Sequence, residues 1–267
     1  MPLVLAGFAG NSLLCRAALG GGQADAASFT ALRLGAGVLA LALLVRAQGG
    51  AWVLPRPQMG RALALAVYML GFSLAYRSLS AGTGALLLFG AVQVTMLGAA
   101  KLRGEPFGAG KWLGAALAFA GLLILTVPKA DRPPVAAALA MAAAGAAWGL
   151  YSLMGRRSAQ PVVDTLGSFA GAALLAPLAF LVPGHLHLTR GGICLALLSG
   201  ALASGGAYAL WYAVLPRLGA VRASVAQLAV PLITAGAATL LLGEVPSLAW
   251  GLAAVLTLSG IALASRS

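Results

Sequence analysis

The sequence predicts an all-α integral membrane protein, with ten transmembrane helices arranged as two inverted repeats of five. Three observations predict it. First, 61% of the 267 residues are hydrophobic and only 8% are charged, whereas a soluble domain carries about 25% charged residues. The mean hydropathy is correspondingly high, +0.97. Second, apolar runs long enough to span a bilayer alternate with short breaks of Gly, Pro and charge. Third, "GEPFGAGKWLGAALAFAGLLIL" from Gly104 to Leu125 is echoed by "GEVPSLAWGLAAVLTLSGIALA" from Gly243 to Ala264, 139 positions later.

A span needs roughly 20 apolar residues. The runs place spans at 3–20, 27–45, 61–79, 83–100, 111–127, 136–155, 165–183, 193–214, 220–241 and 248–264. The breaks include "GGGQAD", "PKADRPP", "GRRSAQP", "PGHLHLTRGG" and "PRLGAVR". Spans three and four are nearly contiguous and form a hairpin. The N-terminus lacks the basic region of a signal peptide and reads as a retained first span.

The net charge of +12 would suggest nucleic acid on a soluble chain. Here the basic residues lie mostly between apolar runs, so they orient the chain in the bilayer and nucleic acid is not a partner. With the N-terminus in the cytoplasm, eleven basic residues fall on the inner side, among them Arg46, Arg61, Lys101, Arg156 and Arg217. Four fall outside: Arg77, Lys129, Arg132 and Arg190. That excess puts both termini in the cytoplasm of a multi-pass inner-membrane protein.

The 139-residue offset pairs Leu79 with Leu218, Glu105 with Glu244 and Gly121 with Gly260. Near the start of each half the offset is 140, pairing Phe8 with Trp148, Ser12 with Ser152 and Arg16 with Arg156. Two domains follow, residues 1–128 and 134–267, each of five spans. Five is odd, so the second half enters the bilayer from the opposite side. Inverted repeats of this kind build many secondary transporters, with the substrate site between the halves.

Together "FAGNSLLCRAAL", "SFTALRLGAGVLAL", "AAWGLYSLMGRR", the two Gly-Glu segments and "LAVPLITAGAATLLLGEVPSLAWG" resemble the drug/metabolite transporter superfamily, EamA type. The resemblance covers nearly the whole chain. It implies ten helices, cytoplasmic termini and export of small metabolites, and it names no substrate. It also implies a central cavity built mainly from the first, third, fourth, sixth, eighth and ninth helices, with the fifth and tenth peripheral.

Candidate binding residues are polar or aromatic groups at membrane depth. Arg33 lies about 9 Å inside span two; a cation there either draws a carboxylate or phosphate or serves folding. Arg16 sits nearer its span end, where snorkelling or pairing with a carbonyl suffices. Phe8, Asn11, Ser12 and Cys15 share one face of span one, and Trp148, Tyr151 and Ser152 repeat it in span six. That face lines a cavity or bonds helix to helix. Tyr68 and Tyr208 are deep aromatics of spans three and eight, while Tyr76, Trp211 and Tyr212 read as an interfacial belt. Gln93 and Gln227 are mid-span amides that need partners. Pro231 clashes with the carbonyl of Gln227, and a kink there would suit a gate.

The acids Asp25, Glu105, Asp131, Asp164 and Glu244 all fall in loops or at span ends. A buried carboxylate that trades a proton for a lipophilic cation is therefore absent. Glu105 and Glu244 suit the N-terminal dipole of the helix that follows each. Cys15 and Cys194 read as buried free thiols, and His185 with His187 is two ligands short of a metal site. No nucleotide-binding loop or cofactor motif is present. Gly110, Gly114, Ala118, Gly121, Gly251, Ala253 and Gly260 thin spans five and ten for close packing; a homodimer has no support beyond that. The reading is a secondary transporter working by alternating access, with small-molecule substrate and lipid as partners; amino acids or small organic anions suit an arginine-plus-aromatic cavity. A passive channel or scaffold is the alternative. An integral-membrane enzyme would need a nucleophile, base or acid pair at depth, and the sequence offers none.

Overall fold

The computed structural model describes residues 1–50, 55–104, 108–126, 134–155, 158–181, 184–214, 227 and 229–266. Helices dominate. In chain order they are α1 (Pro2–Leu19), α2 (Ala26–Ala47), α3 (Met59–Tyr76), α4 (Ala81–Leu102), α5 (Ala109–Thr126) and α6 (Val135–Gly155). Then come α7 (Pro161–Leu175, with a 3-10 extension Ala176–Leu181), α8 (Arg190–Val214), α9 (Ala229–Leu242) and α10 (Leu248–Arg266). Among the described residues, seven helices are long and apolar enough to cross a membrane by length and composition. They are α1 to α4, α6, α7 with its extension, and α8.

Local chemistry sets the helix ends. Pro2 and Pro161 occupy first turns, where a missing N–H costs nothing. The Asp25 side chain accepts from Ser28 N, and that of Thr189 from Gly192 N, capping α2 and α8. Gly104 and Gly243, the glycines of the repeated Gly-Glu pair, have φ of +80° and +67°. Each follows the end of a helix in the left-handed conformation that glycine adopts without strain. The repeated signature is thus a helix stop used twice.

Small residues set the close contacts. α5 and α10 run antiparallel: a Cβ on Gly114 would lie 2.4 Å from the Gly260 carbonyl oxygen, and one on Gly121 would lie 2.8 Å from that of Ala253. Of the small residues expected there, Gly114, Ala118, Gly121, Ala253 and Gly260 make this contact, while Gly251 faces open space. α6 lies in a groove between α3 and α4, and α1 packs against α8 and α9. α2 lies against α7 and α8, where a Cβ on Gly200 would strike the Arg33 carbonyl at 2.2 Å.

Three expectations are corrected. Tyr76, Trp211 and Tyr212 are not an interfacial belt; all three are buried in the protein, their rings packed among the other helices. Cys194 is exposed on α8 rather than buried. Glu244 does not serve the helix after it: Ser247 caps α10, with its hydroxyl accepting from Trp250 N. Glu244 instead turns to α4 and α1. One carboxylate oxygen accepts from Ala81 N at 2.7 Å and the other meets Arg16 Nε at 2.6 Å. Arg16 thus has a carboxylate as well as the Tyr76 carbonyl, at 3.4 Å. Glu105, Asp131 and the basic residues Lys129, Arg132, Arg156, Arg157, Arg217 and Arg222 lie outside the described residues.

The α1–α2 turn also holds the loop before α8. Asp25 N donates to the His187 carbonyl at 2.7 Å, and His187 N donates to Asp25 Oδ2 at 3.0 Å. Partial burial opposes the charge on Asp25, but N–H donors from Ser28, His187 and Ala27 outweigh it and hold the carboxyl below its usual range.

Two outcomes are expected. Gly114→Val should cost about 1–3 kcal/mol by overpacking the α5–α10 contact, read as a lowered melting temperature in detergent; Gly98→Ala, where a Cβ meets nothing within 4 Å, should not. The lowered folded-state pKa of Asp25 means that its stabilisation is complete above the unfolded value of about 3.9 and is lost as pH falls through the folded value. Asp25→Ala should therefore cost about 0.5–2 kcal/mol at neutral pH and flatten the melting-temperature profile below about pH 4.

Candidate functional site

The middle of the bundle is an aromatic cluster around one buried cation. Phe8 of α1, Tyr68 of α3, Trp148 of α6 and Tyr208 of α8 converge there. Tyr68 and Tyr208 ring centroids lie 5.1 and 4.6 Å from that of Trp148. Phe8 sits 5.9 Å from Trp148, edge on. Phe8 and Trp148 are 140 positions apart, and so are Tyr68 and Tyr208. Each of these pairs is in direct contact.

Arg33 is wholly buried beside this cluster. Its Nε donates to Ser204 Oγ at 3.1 Å, and Nη2 donates to the hydroxyls of Tyr68 and Tyr208 at 3.2 and 3.5 Å. Among the described residues Nη1 meets the Cys15 sulfur alone, at 3.9 Å. The guanidinium lies 5.1 Å from the Phe72 ring centroid and 5.5 Å from that of Tyr68, close enough for cation–π attraction. No carboxylate among the described residues pairs with it; the ion pairs there are Arg16–Glu244 and Arg61–Asp164. The charge is therefore met by hydroxyls, a thiol and ring faces, not by a counter-ion.

The polar balance around it favours donors. The Tyr68 hydroxyl oxygen receives Arg33 Nη2, Asn11 Nδ2 at 3.2 Å and Tyr208 OH at 3.0 Å. Asn11 Oδ1 accepts from Ser199 Oγ at 2.7 Å, and among the described residues the Ser12 hydroxyl makes no hydrogen bond of good geometry. N–H and O–H groups outnumber the acceptors available to them, so an incoming anion would find donors already in place.

Asn11, Ser12, Tyr68, Trp148 and Tyr208 line a void of about 10 Å³ with Phe8, Phe72, Leu88 and Phe89, near the least space that holds one water. Larger clefts open at both ends of the bundle. One of about 220 Å³ is bordered by Asp25, Arg77, His185 and His187. One of about 350 Å³ is bordered by Val45, Gln48, Gln160 and Val163. The centre is closed between them.

Of the residues picked from sequence, Asn11, Ser12, Arg33, Tyr68, Trp148 and Tyr208 come together here. Tyr151 lies one ring further, 5.5 Å from Trp148. Gln93 and Gln227 are buried but do not line the void, and Gln227 Oε1 has no hydrogen-bond partner. Pro231 is buried in α9, and the kink expected before it falls across residue 228, outside the described residues.

Comparison with known proteins agrees with this architecture. Residues 135–266 match the family model described as EamA-like transporter family. An uncharacterized protein of Pseudomonas aeruginosa is 49% identical over 98% of this chain and 91% of its own length. The chain belongs to the EamA-like transporter family. It is a multi-pass membrane protein of the drug/metabolite transporter superfamily. A solved crystal structure, 24% identical, superposes with a TM-score of 0.70 over 100% of this chain and 99% of the other, and shows the shared fold.

In this EamA-like chain the sequence reading missed two groups. Ser199 and Ser204 lie on a π-helical stretch of α8, Ser199–Gly206, a distortion common at functional sites. The run "SGALASGG", polar and small inside an apolar span, was the available signal. The second is Arg61, read as a loop charge that orients the chain. It is 3% exposed in the first turn of α3, 3.3 Å from Asp164.

Tyr68→Phe should leave Asn11 Nδ2 and the Tyr208 hydroxyl without their acceptor, and Arg33 Nη2 with only the longer contact to Tyr208, and cost about 1–3 kcal/mol. Tyr208→Phe removes a donor from a crowded oxygen and should cost about 0.5–1.5 kcal/mol. Paired thermal melts of the two variants check the order.

Proposed function

We propose that this membrane transporter is a secondary carrier that exports small metabolites by alternating access about the aromatic centre beside Arg33, taking compounds that carry a carboxylate. Amino acids and small organic anions fit that description. The observation that carries the reading is Arg33: a guanidinium wholly buried among donors and ring faces, with no acid paired to it among the described residues. A cation at membrane depth marks a substrate path more often than a structural need. A ligand carboxylate would supply the missing counter-charge, and the rings of Tyr68, Trp148 and Tyr208 would hold the ligand's body.

The proposed mechanism needs two opposed halves, residues 1–128 and 134–267, forming ten transmembrane helices in inverted repeats. Several contacts support that arrangement. α6 packs on α3 and α4, and its counterpart α1 packs on α8 and α9. Three equivalent pairs meet each other, α2 with α7, α4 with α9, and α5 with α10, the last antiparallel at Gly114 and Gly260. The ion pair Arg16–Glu244 closes one end of the bundle, and Arg61–Asp164 lies near the other. Arg61 and Tyr76 are the third and last residues of α3, so these ends are about 22 Å apart at 1.5 Å per residue. We assign the Met1 end to the cytoplasm, with both termini there, from the excess of basic residues on that side.

Flux of radiolabelled amino acids and small carboxylates in sealed proteoliposomes tests the proposal. The wild-type chain should show saturable flux and counterflow for at least one compound, and Arg33→Gln should reduce it about tenfold or more, as loss of a charge-assisted contact implies. Flux that does not saturate would favour a channel, and none across the panel would sink the reading.

A further inference from the structure

Arg33 is not alone as a buried cation. Arg61 sits at the Met1 end of α3, with its guanidinium 5.3 Å from the ring centroid of Tyr151. Its Nη1 lies 3.3 Å from Asp164 Oδ2. Among the described residues its Nε and Nη2 make no hydrogen bond of good geometry, and neither does the Tyr151 hydroxyl; the Tyr212 hydroxyl is the nearby group that leans on this cation. Three buried polar atoms are thus poorly satisfied in one place, an arrangement that destabilises a fold unless something else pairs with them.

A purely structural pair would not be built this way. Arginine meets a structural carboxylate best with both arms of its fork, at about 2.7–2.9 Å. Asp164 instead offers one oxygen at a longer distance, and that oxygen also accepts from Ser158 Oγ at 2.5 Å. The Asp164 side chain is 28% exposed and that of Arg61 only 3%. Asp164 therefore stands on the solvent side with the cation behind it. Beyond the cation, Tyr151 stacks on Trp148, which lines the central void.

We infer that Arg61 and the Tyr151 hydroxyl form a second carboxylate-binding subsite at this end of the bundle, in which Asp164 holds the place of the ligand's carboxylate. The ligand displaces Asp164 and engages the arms of Arg61 that are now open. Its body rests on the rings of Tyr151 and Tyr212, whose centroids are 6.1 Å apart. The ligand class is a small monocarboxylate with an apolar or aromatic body. A role as a way station to Arg33 rests on the proposed transport; the binding itself does not.

Equilibrium dialysis of radiolabelled benzoate against the purified full chain in detergent tests this, with neutral benzamide as competitor. In an Arg33→Gln background, which removes the central cation, benzoate should still bind saturably and benzamide should not compete. Adding Arg61→Gln should weaken binding about tenfold or more, and Asp164→Asn should strengthen it by a similar factor as the internal competitor loses its charge. Tyr151→Phe should weaken it. The charge-swapped Arg61→Asp/Asp164→Arg chain keeps an ion pair and so guards against a folding defect, checked by circular dichroism; it should bind benzoate no better than Arg61→Gln. The inference is overturned if benzoate does not bind, if Arg61→Gln leaves binding unchanged, if Asp164→Asn fails to strengthen it, or if the swapped pair restores it. Absent flux with this binding pattern intact would sink the transport reading alone.

Discussion

A single buried charge organises the centre of this protein. Arg33 carries its guanidinium about 10 Å into the helix that begins at Ala26, at 1.5 Å per residue, and the described fold brings it no carboxylate. Leaving such a cation bare in an apolar medium is costly. The fold answers by turning four other helices toward it. α1 brings Cys15, α3 brings Tyr68 and Phe72, and α8 brings Ser204 and Tyr208. Trp148 of α6 then packs on both tyrosines. Even the π-helical stretch of α8 belongs to this arrangement, because it carries Ser199 and Ser204 past the closely packed Gly200.

Among the described residues, the other two buried or half-buried arginines differ from Arg33 in having an acid. Arg16 meets Glu244 at one end of the bundle, and Arg61 meets Asp164 at the other. Both pairs join the first half of the chain to the second. Both acids are more exposed than a core residue; Arg16–Glu244 is part-exposed on both sides, whereas Arg61 is buried and would need a replacement anion as Asp164 leaves. The proposed carrier is then a chain of three cations in which the ends are provisionally neutralised and the middle is not. An anion entering at either end meets a carboxylate it can replace, and at the centre meets donors with no acid in the way. The clefts of about 220 and 350 Å³ at the two ends and the one-water void between them describe a closed centre with open approaches.

The membrane class, the helical segments and most of the central aromatic cluster were legible in the chain, because hydropathy and i, i+4 spacing are local properties. Arg33, Tyr68, Trp148 and Tyr208 stood out as rare groups at depth. Tyr76, Trp211 and Tyr212 were misread as a belt for the same reason that made them noticeable: nearness to a span end says nothing about whether a ring faces lipid or protein. Glu244 was misassigned because its nearest helix N-terminus in sequence is α10, while its nearest in space is that of α4. Arg61 passed as an orienting charge, since no local pattern reveals that Asp164, 103 positions later, shields it.

What the sequence determined by itself was everything that depends on distance along the chain. Apolar runs must become helices in a bilayer, because unpaired backbone groups are not tolerated there. The Gly-Glu segments must stop helices, since Gly104 and Gly243 can turn left-handed where other residues strain. What only the tertiary structure decided is which charges meet. Arg16 with Glu244, Arg61 with Asp164, and Arg33 with hydroxyls in place of an acid are pairings between helices far apart in the chain. They are fixed by how the small residues let the helices approach, as Gly200 does at Arg33, and that is a property of packed surfaces no linear spacing records.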